Sequence, residues 1–473
     1  MNKTIAVHLG AAAKLVGHLR FQAEGNRQAA SFAYDEGWLR DPDRFMIDPA
    51  LPLVEGPQFH RKANHDHASV FFGCIADSEP DGWGIQVIRR DHAKRRKDAE
   101  TRGDKFDPRP MNDLDILLSV DDVSRVGALR YMDESGEFVR ATKPGDRSAP
   151  PLIELRHLLA ATRAIETNTE TSNDLAYLRG RGTSLGGMRP KCTVIDEGGV
   201  LSIGKFPSVH DTRPVTRGEV LALRLAEMAG ITAAAARIIM SDDTPVALIR
   251  RFDRVGEKRL SYLSARTMLG VDDGADHAYT EIVEAIRMHG SVVTSDLEEL
   301  WRRIVFTILV TNVDDHLNNH GFLHTGEGKW RLSPAFDVNP FPDKARSLKT
   351  WISEESGPDA GIEPAVAAAR FFGIKPDRAQ TILGEVLNAV QQWRDVARTA
   401  EVGMTARECE DFENAFEHEE TSVASRIVSR TTAPTPSGRR RGGQGSSGKR
   451  PDVDNPTSAI DVVETPAPPG IPI

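Results

Sequence analysis

Apolar residues fall in short runs broken by turns over the first third of the chain, then settle into long helical periodicities. Residues 5–9, 16–19 and 126–131 are apolar-rich and of strand length, and Val70-Phe71-Phe72-Gly73-Cys74-Ile75 is short enough to be buried whole. After Pro151, Leu152, Leu155, Leu158 and Leu159 recur on one helical face. Residues 180–187 are glycine-rich. Two strands follow, 192–195 and 200–205, joined by the hairpin turn Asp196-Glu197-Gly198-Gly199. Residues 219–229 predict a helix closed by Gly230, and 246–252 another strand.

Beyond about residue 260 helices dominate. Ser295-x-x-Glu298 reads as a capping box. The helix it opens carries Leu297, Leu300, Trp301, Ile304, Val305, Ile308 and Leu309 as a broad apolar stripe. A second hairpin is predicted over 320–324 and 329–332, turning at Thr325-Gly326-Glu327-Gly328. Further helices are expected over 363–372, 378–398 and 406–428. From Thr431, proline, glycine, serine and charge take over, including Arg439-Arg440-Arg441-Gly442-Gly443, so 431–473 reads as a disordered tail.

Composition narrows the function classes. With 473 residues, 39% hydrophobic and 27% charged, the chain has an ordinary globular balance and, at roughly 150 residues each, room for two or three lobes. A net charge of −9 argues against a general nucleic-acid binder. The basic run Arg89, Arg90, Lys94, Arg95, Arg96 and Lys97 reads as a solvated helix face. Cys74, Cys192 and Cys409 lack metal-ligand spacing and are expected to be reduced thiols. Met1-Asn2-Lys3-Thr4 lacks the apolar core of a signal peptide, and no stretch suits a membrane span. A cytoplasmic protein without membrane contact is expected.

The richest chemistry lies where the apolar helix ends, in Asn312-Val313-Asp314-Asp315-His316-Leu317-Asn318-Asn319. Such groups are costly to bury unless each finds a partner or a metal. Asp314 and Asn319 have the five-residue spacing of the kinase catalytic loop, where the Asp receives the substrate hydroxyl proton and the Asn holds Mg²⁺. The second hairpin returns the chain so that Ser333-Pro334-Ala335-Phe336-Asp337-Val338 sets Asp337 beside this loop, as a kinase sets its metal-binding Asp. Asn319 and Asp337 are hard oxygen ligands suited to Mg²⁺. A polar loop capping its helix, with Asp337 a turn residue, is the plainer alternative.

A cradle for ATP is offered by Thr183-Ser184-Leu185-Gly186-Gly187-Met188-Arg189-Pro190-Lys191, where Gly186 and Gly187 let backbone amides approach phosphate. It is not a Walker A loop. Lys205, on the strand after it, matches the kinase lysine that contacts phosphates. Glu219 either pairs with Lys205 or is a helix-start glutamate favoured by the dipole. Leu248-Ile249-Arg250-Arg251-Phe252-Asp253-Arg254 falls where a kinase hinge grips adenine, which puts Arg250 and Phe252 at the nucleotide. His316 is a base, a ligand or, more simply, an internal hydrogen-bonding group. His65/His67 and His320/His324 lack a third ligand at zinc spacing.

Taken together, Ser184-Leu-Gly-Gly-Met-Arg-Pro-Lys191, Ile249-Arg-Arg-Phe-Asp-Arg254, Asn312-Val-Asp-Asp-His-Leu-Asn-Asn319 and Leu332-Ser-Pro-Ala-Phe-Asp337 resemble the HipA-type serine/threonine protein kinases, toxins of bacterial toxin–antitoxin pairs. Pro80-Asp-Gly-Trp-Gly84 and Val126-Gly-Ala-Leu-Arg130 extend the resemblance over about residues 1–420. It implies a two-lobed, protein-kinase-like α+β fold. An added N-terminal β-rich subdomain would span 1–145, a kinase N-lobe 146–258, a helical C-lobe 259–430 and the tail 431–473. It implies Asp314 as catalytic base, Asn319 and Asp337 on Mg²⁺, Lys205 on ATP, and Ser184 as an autophosphorylation site that displaces the glycine loop. It also implies a small helix-turn-helix antitoxin (HipB-like) that brings the kinase to operator DNA, and a protein substrate such as an aminoacyl-tRNA synthetase. Arg250 stands where family members often carry Glu, and Met188 where a small residue is common. The rival readings are a small-molecule phosphotransferase of similar fold and a non-catalytic corepressor acting with an antitoxin. A pure binding module would have little reason to keep Lys205, Asp314, Asn319 and Asp337 together.

Overall fold

The computed structural model describes residues 1–25, 27–61, 69–105, 109–142, 149–179, 187–271 and 275–432. It opens with β1 (Asn2–Leu9), β2 (Lys14–Glu24), β3 (Arg27–Tyr34) and β4 (Gln58–Phe59). Next come helix α1 (Gly82–Arg102) and β5 (Leu129–Met132), and the strands form one antiparallel sheet in the order β4-β3-β2-β1-β5. One face of this sheet is buried through Val7, Val16, Leu19, Phe21 and Phe32. The apolar run 70–75 is buried as expected at Val70, Phe71, Phe72, Cys74 and Ile75, and it ends in a single helical turn.

The sequence reading took the basic run 89–97 as a helix face but gave the helix no bounds, and α1 extends well beyond that run on both sides. Its start is capped by Asp81, whose Oδ1 accepts from Gly84 N at 2.7 Å, and Gly103 in a left-handed conformation (φ 72°) ends it. The basic run lies on this helix. Arg89, Arg95 and Lys97 face solvent, whereas Arg90 is half-buried and donates to Ile165 O and Glu170 Oε1.

The next segment contains α2 (Leu155–Glu166), α3 (Ser172–Leu178), β6 (Lys191–Ile195), β7 (Leu201–Lys205), α4 (Val215–Met228), β8 (Ala236–Ser241) and β9 (Thr244–Arg250). Its sheet is antiparallel in the order β6-β7-β9-β8. The continuous apolar run in β9 has a simple cause, since both faces of the sheet are covered. Val246 and Leu248 point to a core with Trp83, Val87, Leu158 and Phe206, and Ala247 and Ile249 to the core that holds Val220 and Leu223 of α4. Helix α1 thus packs its Trp83 and Val87 onto the β6–β9 sheet. The predicted strand 246–252 ends at Arg250, so Phe252 lies in the connection beyond it. The predicted helix 219–229 starts four residues early, at Val215.

The remaining chain is mostly helical around β10 (Tyr262–Ser264), α5 (Tyr279–His289), α6 (Val293–Leu309), β11 (Gly321–Gly326), β12 (Lys329–Leu332), α7 (Ile362–Ala368), α8 (Pro376–Gln391) and α9 (Glu419–Thr432). The β11–β12 hairpin forms as predicted. The expected capping box does not: α6 begins at Val293 after Val292, without a side-chain cap, so Ser295 and Glu298 lie inside the helix. The first-turn carboxylate Asp296 instead accepts from Leu332 N at 2.9 Å and ties α6 to β12. The stripe from Leu297 to Leu309 is buried as read. The expected helix 406–428 is broken into three pieces. All three cysteines are free and buried. No helix among the described residues is long and apolar enough to cross a membrane.

Candidate active site

β7 ends at Lys205, and its position in the sheet decides where the ammonium points. Nζ lies 2.6 Å from Glu219 Oε1 on α4 and 2.6 Å from Asp337 Oδ1. Lys205 is 8% and Glu219 3% exposed, so of the two readings of Glu219 the ion pair is correct. Burial alone would lower the Lys205 ammonium's pKa, but the two carboxylates outweigh it and hold the group protonated. Burial likewise acts to raise Asp337, yet Lys205 holds that carboxyl well below the usual range. Glu219 goes the other way, raised by burial and by the neighbouring charge of Asp337 in spite of Lys205.

Asp337 sits in the left-handed region at φ 57°, a conformation Asp tolerates better than most residues. Asn339 stabilises it, donating from Nδ2 to Asp337 Oδ1 and to its carbonyl, both at 3.2 Å. The Asn339 amide donates to Asn312 Oδ1 at 3.0 Å, and the Phe341 amide to Thr311 O. These bonds set the segment after the hairpin against the start of the polar loop, as its sequence pattern predicted.

Within the loop, the two adjacent aspartates have different surroundings. Asp315 is buried and accepts from the Tyr279 hydroxyl, with His320 Nε2 at 3.0 Å from the same carboxyl oxygen. Asp314 is about half exposed at 47%, with Lys344 Nζ 3.6 Å from its Oδ2. One carboxylate anchors the loop and its neighbour is half exposed beside Lys344. Asn319 is buried in a short 3₁₀ turn, and its Nδ2 donates to Asp314 O at 3.4 Å. It lines a small cavity together with Phe336 and Val338, the two neighbours of Asp337. His316 Nδ1 is buried and has no hydrogen-bond partner among the described residues. His320 serves the internal network.

Among the described residues, no three His, Cys, Asp or Glu side chains cluster in a metal site. One carboxylate and one amide oxygen, from Asp337 and Asn319, make a sparse donor set. That set suits Mg²⁺, which keeps waters and takes phosphate oxygens rather than an all-protein cage.

The other expected residues are partly placed. Gly187 is exposed, and its carbonyl accepts from Lys191 Nζ at 2.8 Å. Ser184 and Gly186 lie outside the described residues, as do His65 and His67. Arg250 is exposed at the end of β9, opposite Ser202 of β7. Phe252 is half-buried, with its ring centroid 5.4 Å from that of Phe336. Next to it, Asp253 is fully buried and receives Arg251, Arg254 and the Gly127 amide. Arg251 and Arg254 also donate to carbonyls of residues 123–127. Sequence reasoning missed the roles of Asp253, Asn312, Asn339, Tyr279 and Asp81, each of which makes at least one contact distant in the chain.

Comparison with known proteins identifies the family and the fold. The model of the HipA N-terminal domain matches residues 6–108, and that of the HipA-like C-terminal domain matches 183–394. A candidate kinase of Sinorhizobium fredii, Y4mE, is 24% identical over 346 residues, covering 69% of this chain and 74% of its own length. A second from that organism, Y4dM, is 35% identical over 95 residues, 19% of this chain and 22% of its own. Among solved structures, a chain of the Shewanella oneidensis MR-1 toxin–antitoxin complex of HipA, HipB and operator DNA superposes with a TM-score of 0.61 at 15% identity, covering 90% of this chain and 96% of that one. At that identity the likeness is one of fold, and it agrees with the two-lobed, kinase-like α+β architecture expected from the sequence. With both of the family's domains matched in order along one sequence, the chain belongs to the HipA family.

Proposed function

We propose that this HipA-family chain is an ATP-dependent serine/threonine protein kinase acting as a growth-arresting toxin. The observation that carries the reading is Lys205 bridging Glu219 and Asp337, with the Asp337 segment tied through Asn339 to Asn312 at the start of the loop that holds Asp314. In phosphoryl transfer there is little covalent work for the protein, and rate comes from positioning and charge stabilisation. Asp314 orients the substrate hydroxyl and takes its proton. Lys205 offsets negative charge on the phosphates, and the Gly186 and Gly187 amides bind phosphate oxygens. Asn319 and Asp337 would hold Mg²⁺, which when bound neutralises charge on the phosphate oxygens. Arg250 and Phe252 flank the adenine side, where backbone groups of the β9 connection grip the base. Ser184 is the autophosphorylation site.

The partner proposed is a HipB-like helix-turn-helix antitoxin, with DNA reached only through it, as the HipA, HipB and operator DNA complex supports. The net charge of −9 fits a chain that does not bind DNA by itself. The substrate proposed is a cytoplasmic protein, such as an aminoacyl-tRNA synthetase. Purified protein incubated with Mg²⁺ and labelled ATP, then mapped by mass spectrometry, tests this directly. Phosphate on Ser184, absent from Asp314→Ala, is expected. ATP turnover without protein labelling would instead indicate a small-molecule kinase, and no nucleotide binding at all a corepressor.

A further inference from the structure

Asp81 and Lys191 are 110 residues apart in sequence, yet they form a closed ion pair. Asp81 Oδ2 accepts from Lys191 Nζ at 2.8 Å, and the two side chains are 5% and 2% exposed. The same ammonium donates to Gly187 O at 2.8 Å. Lys191 opens β6 and is the register partner of Lys205 across the β6–β7 pair. A second contact lies beside the first: a Cβ on Gly82 would fall 2.2 Å from Met188 Sδ. The start of α1 therefore grips residues 187–191, the stretch leading from the glycine-rich segment into the sheet that carries Lys205.

Stability alone is a poor explanation for such a pair. Desolvating two charges costs about as much as their attraction returns, and apolar replacements of similar volume are often neutral or better. Buried pairs are better attested as devices that fix register or position. Here burial pushes the Asp81 carboxyl up to about 6 in spite of Lys191, so the attraction of the pair does not outweigh the desolvation of the acid.

We infer that Asp81 is a positioning residue for the nucleotide phosphates, holding Gly187 and Lys191 in place from the N-terminal segment. The inference rests on the kinase reading above. It makes the Pro80-Asp-Gly-Trp-Gly84 turn part of the ATP site, although no atom of that turn needs to touch substrate.

The test compares Asp81→Asn with the double variant Asp81→Asn/Lys191→Met in the full chain. Asn keeps the helix cap, because its side-chain oxygen also accepts from Gly84 N. The double variant removes both charges at nearly constant volume. Three readouts are taken: ATP KM and kcat, Tm, and amide exchange of residues 187–191 without nucleotide. The single variant is expected to raise the ATP KM about tenfold while kcat changes by less than about twofold. The double variant is expected to recover the wild-type Tm yet keep the high KM, and both variants to show faster exchange at 187–191. A double variant with wild-type KM, or a single variant that loses kcat at constant KM, overturns the inference. If the wild type turns over no ATP, the kinase reading falls and takes the phosphate role with it. Unchanged exchange at 187–191 would overturn the positioning contact itself, whatever the activity.

Discussion

Lys205 Nζ and Asp337 Oδ1 stand 2.6 Å apart, joining the strand that follows the glycine-rich segment to the segment that follows the β11–β12 hairpin. Lys205→Met removes the cation that bridges buried Glu219 and part-buried Asp337. Breaking such a pair from one side costs about 3–5 kcal/mol, so the urea midpoint should drop sharply at pH 7.5. With the cation gone, desolvation and each other's charge raise the Glu219 and Asp337 carboxyls, so they take up protons as pH falls toward 4.5 and the deficit should shrink. Paired Asp337 contributes stability in the wild type above its unfolded pKa of about 3.9, and that contribution is lost as pH falls through its depressed folded value. Urea titrations of both proteins at pH 7.5 and 4.5 check the sign.

Asp315 anchors the polar loop from below through Tyr279 and His320. Tyr279→Phe deletes one hydrogen bond and should cost about 1 kcal/mol. Asp315→Asn removes the charge and should loosen the placement of Asp314, lowering kcat about tenfold with little change in ATP KM. Steady-state kinetics of the two variants separate a positioning loss from a binding loss.

Asp253 collects two arginines and the Gly127 amide in a site with no solvent. Burial opposes its charge, but Arg251 and Arg254 hold its carboxyl well below the usual range. Asp253→Asn leaves both guanidinium groups uncompensated and should lower stability by about 3–5 kcal/mol at neutral pH. The loss should appear in chemical unfolding, together with faster amide exchange at residues 123–127.

His324 stacks on Phe45 with centroids 3.7 Å apart, and its buried Nε2 has no partner among the described residues. Burial pulls its pKa down to about 4. The unfolded state, near 6.5, binds more protons across that window, so stability is complete above pH 6.5 and falls as pH drops toward 4. After allowance for partial exposure, the loss should be about 1–2 kcal/mol. His324→Phe should flatten the dependence of Tm on pH between 7 and 5. His418, also lowered by burial to about 4, would keep the rest of the slope.

The legible parts of the fold were those written locally. The β6–β7 and β11–β12 hairpins follow from turn residues between apolar runs, and Asp314, Asn319 and Asp337 from spacings within one loop and one hairpin. Of helix α1 only the charged stretch 89–97 was legible as a helix face, because few apolar positions interrupt it; its buried side comes from Trp83, Gly84, Val87, Ile88, Asp91 and Ala99. Its end signals, Asp81 and Gly103, were present and would have found it. Ser295-x-x-Glu298 misled because the pattern also fits a helix interior, and Val293 extends the helix past it. The ties that order the site, Asp81 to Lys191 and Asp253 to Gly127, span more than 100 residues and leave no trace in local pattern.

The central claim is that Asp314 serves phosphoryl transfer from ATP to a hydroxyl. The direct measurement is the initial rate of phosphate incorporation from labelled ATP in the wild type beside Asp314→Ala, with Tm recorded for both. General-base catalysis is worth about 10²–10⁴-fold. A drop of that size is predicted, with an unchanged Tm because the Asp314 side chain is half exposed and its ion pair among the described residues is the 3.6 Å contact with half-exposed Lys344. Equal rates in the two proteins, or no incorporation in either, would contradict it.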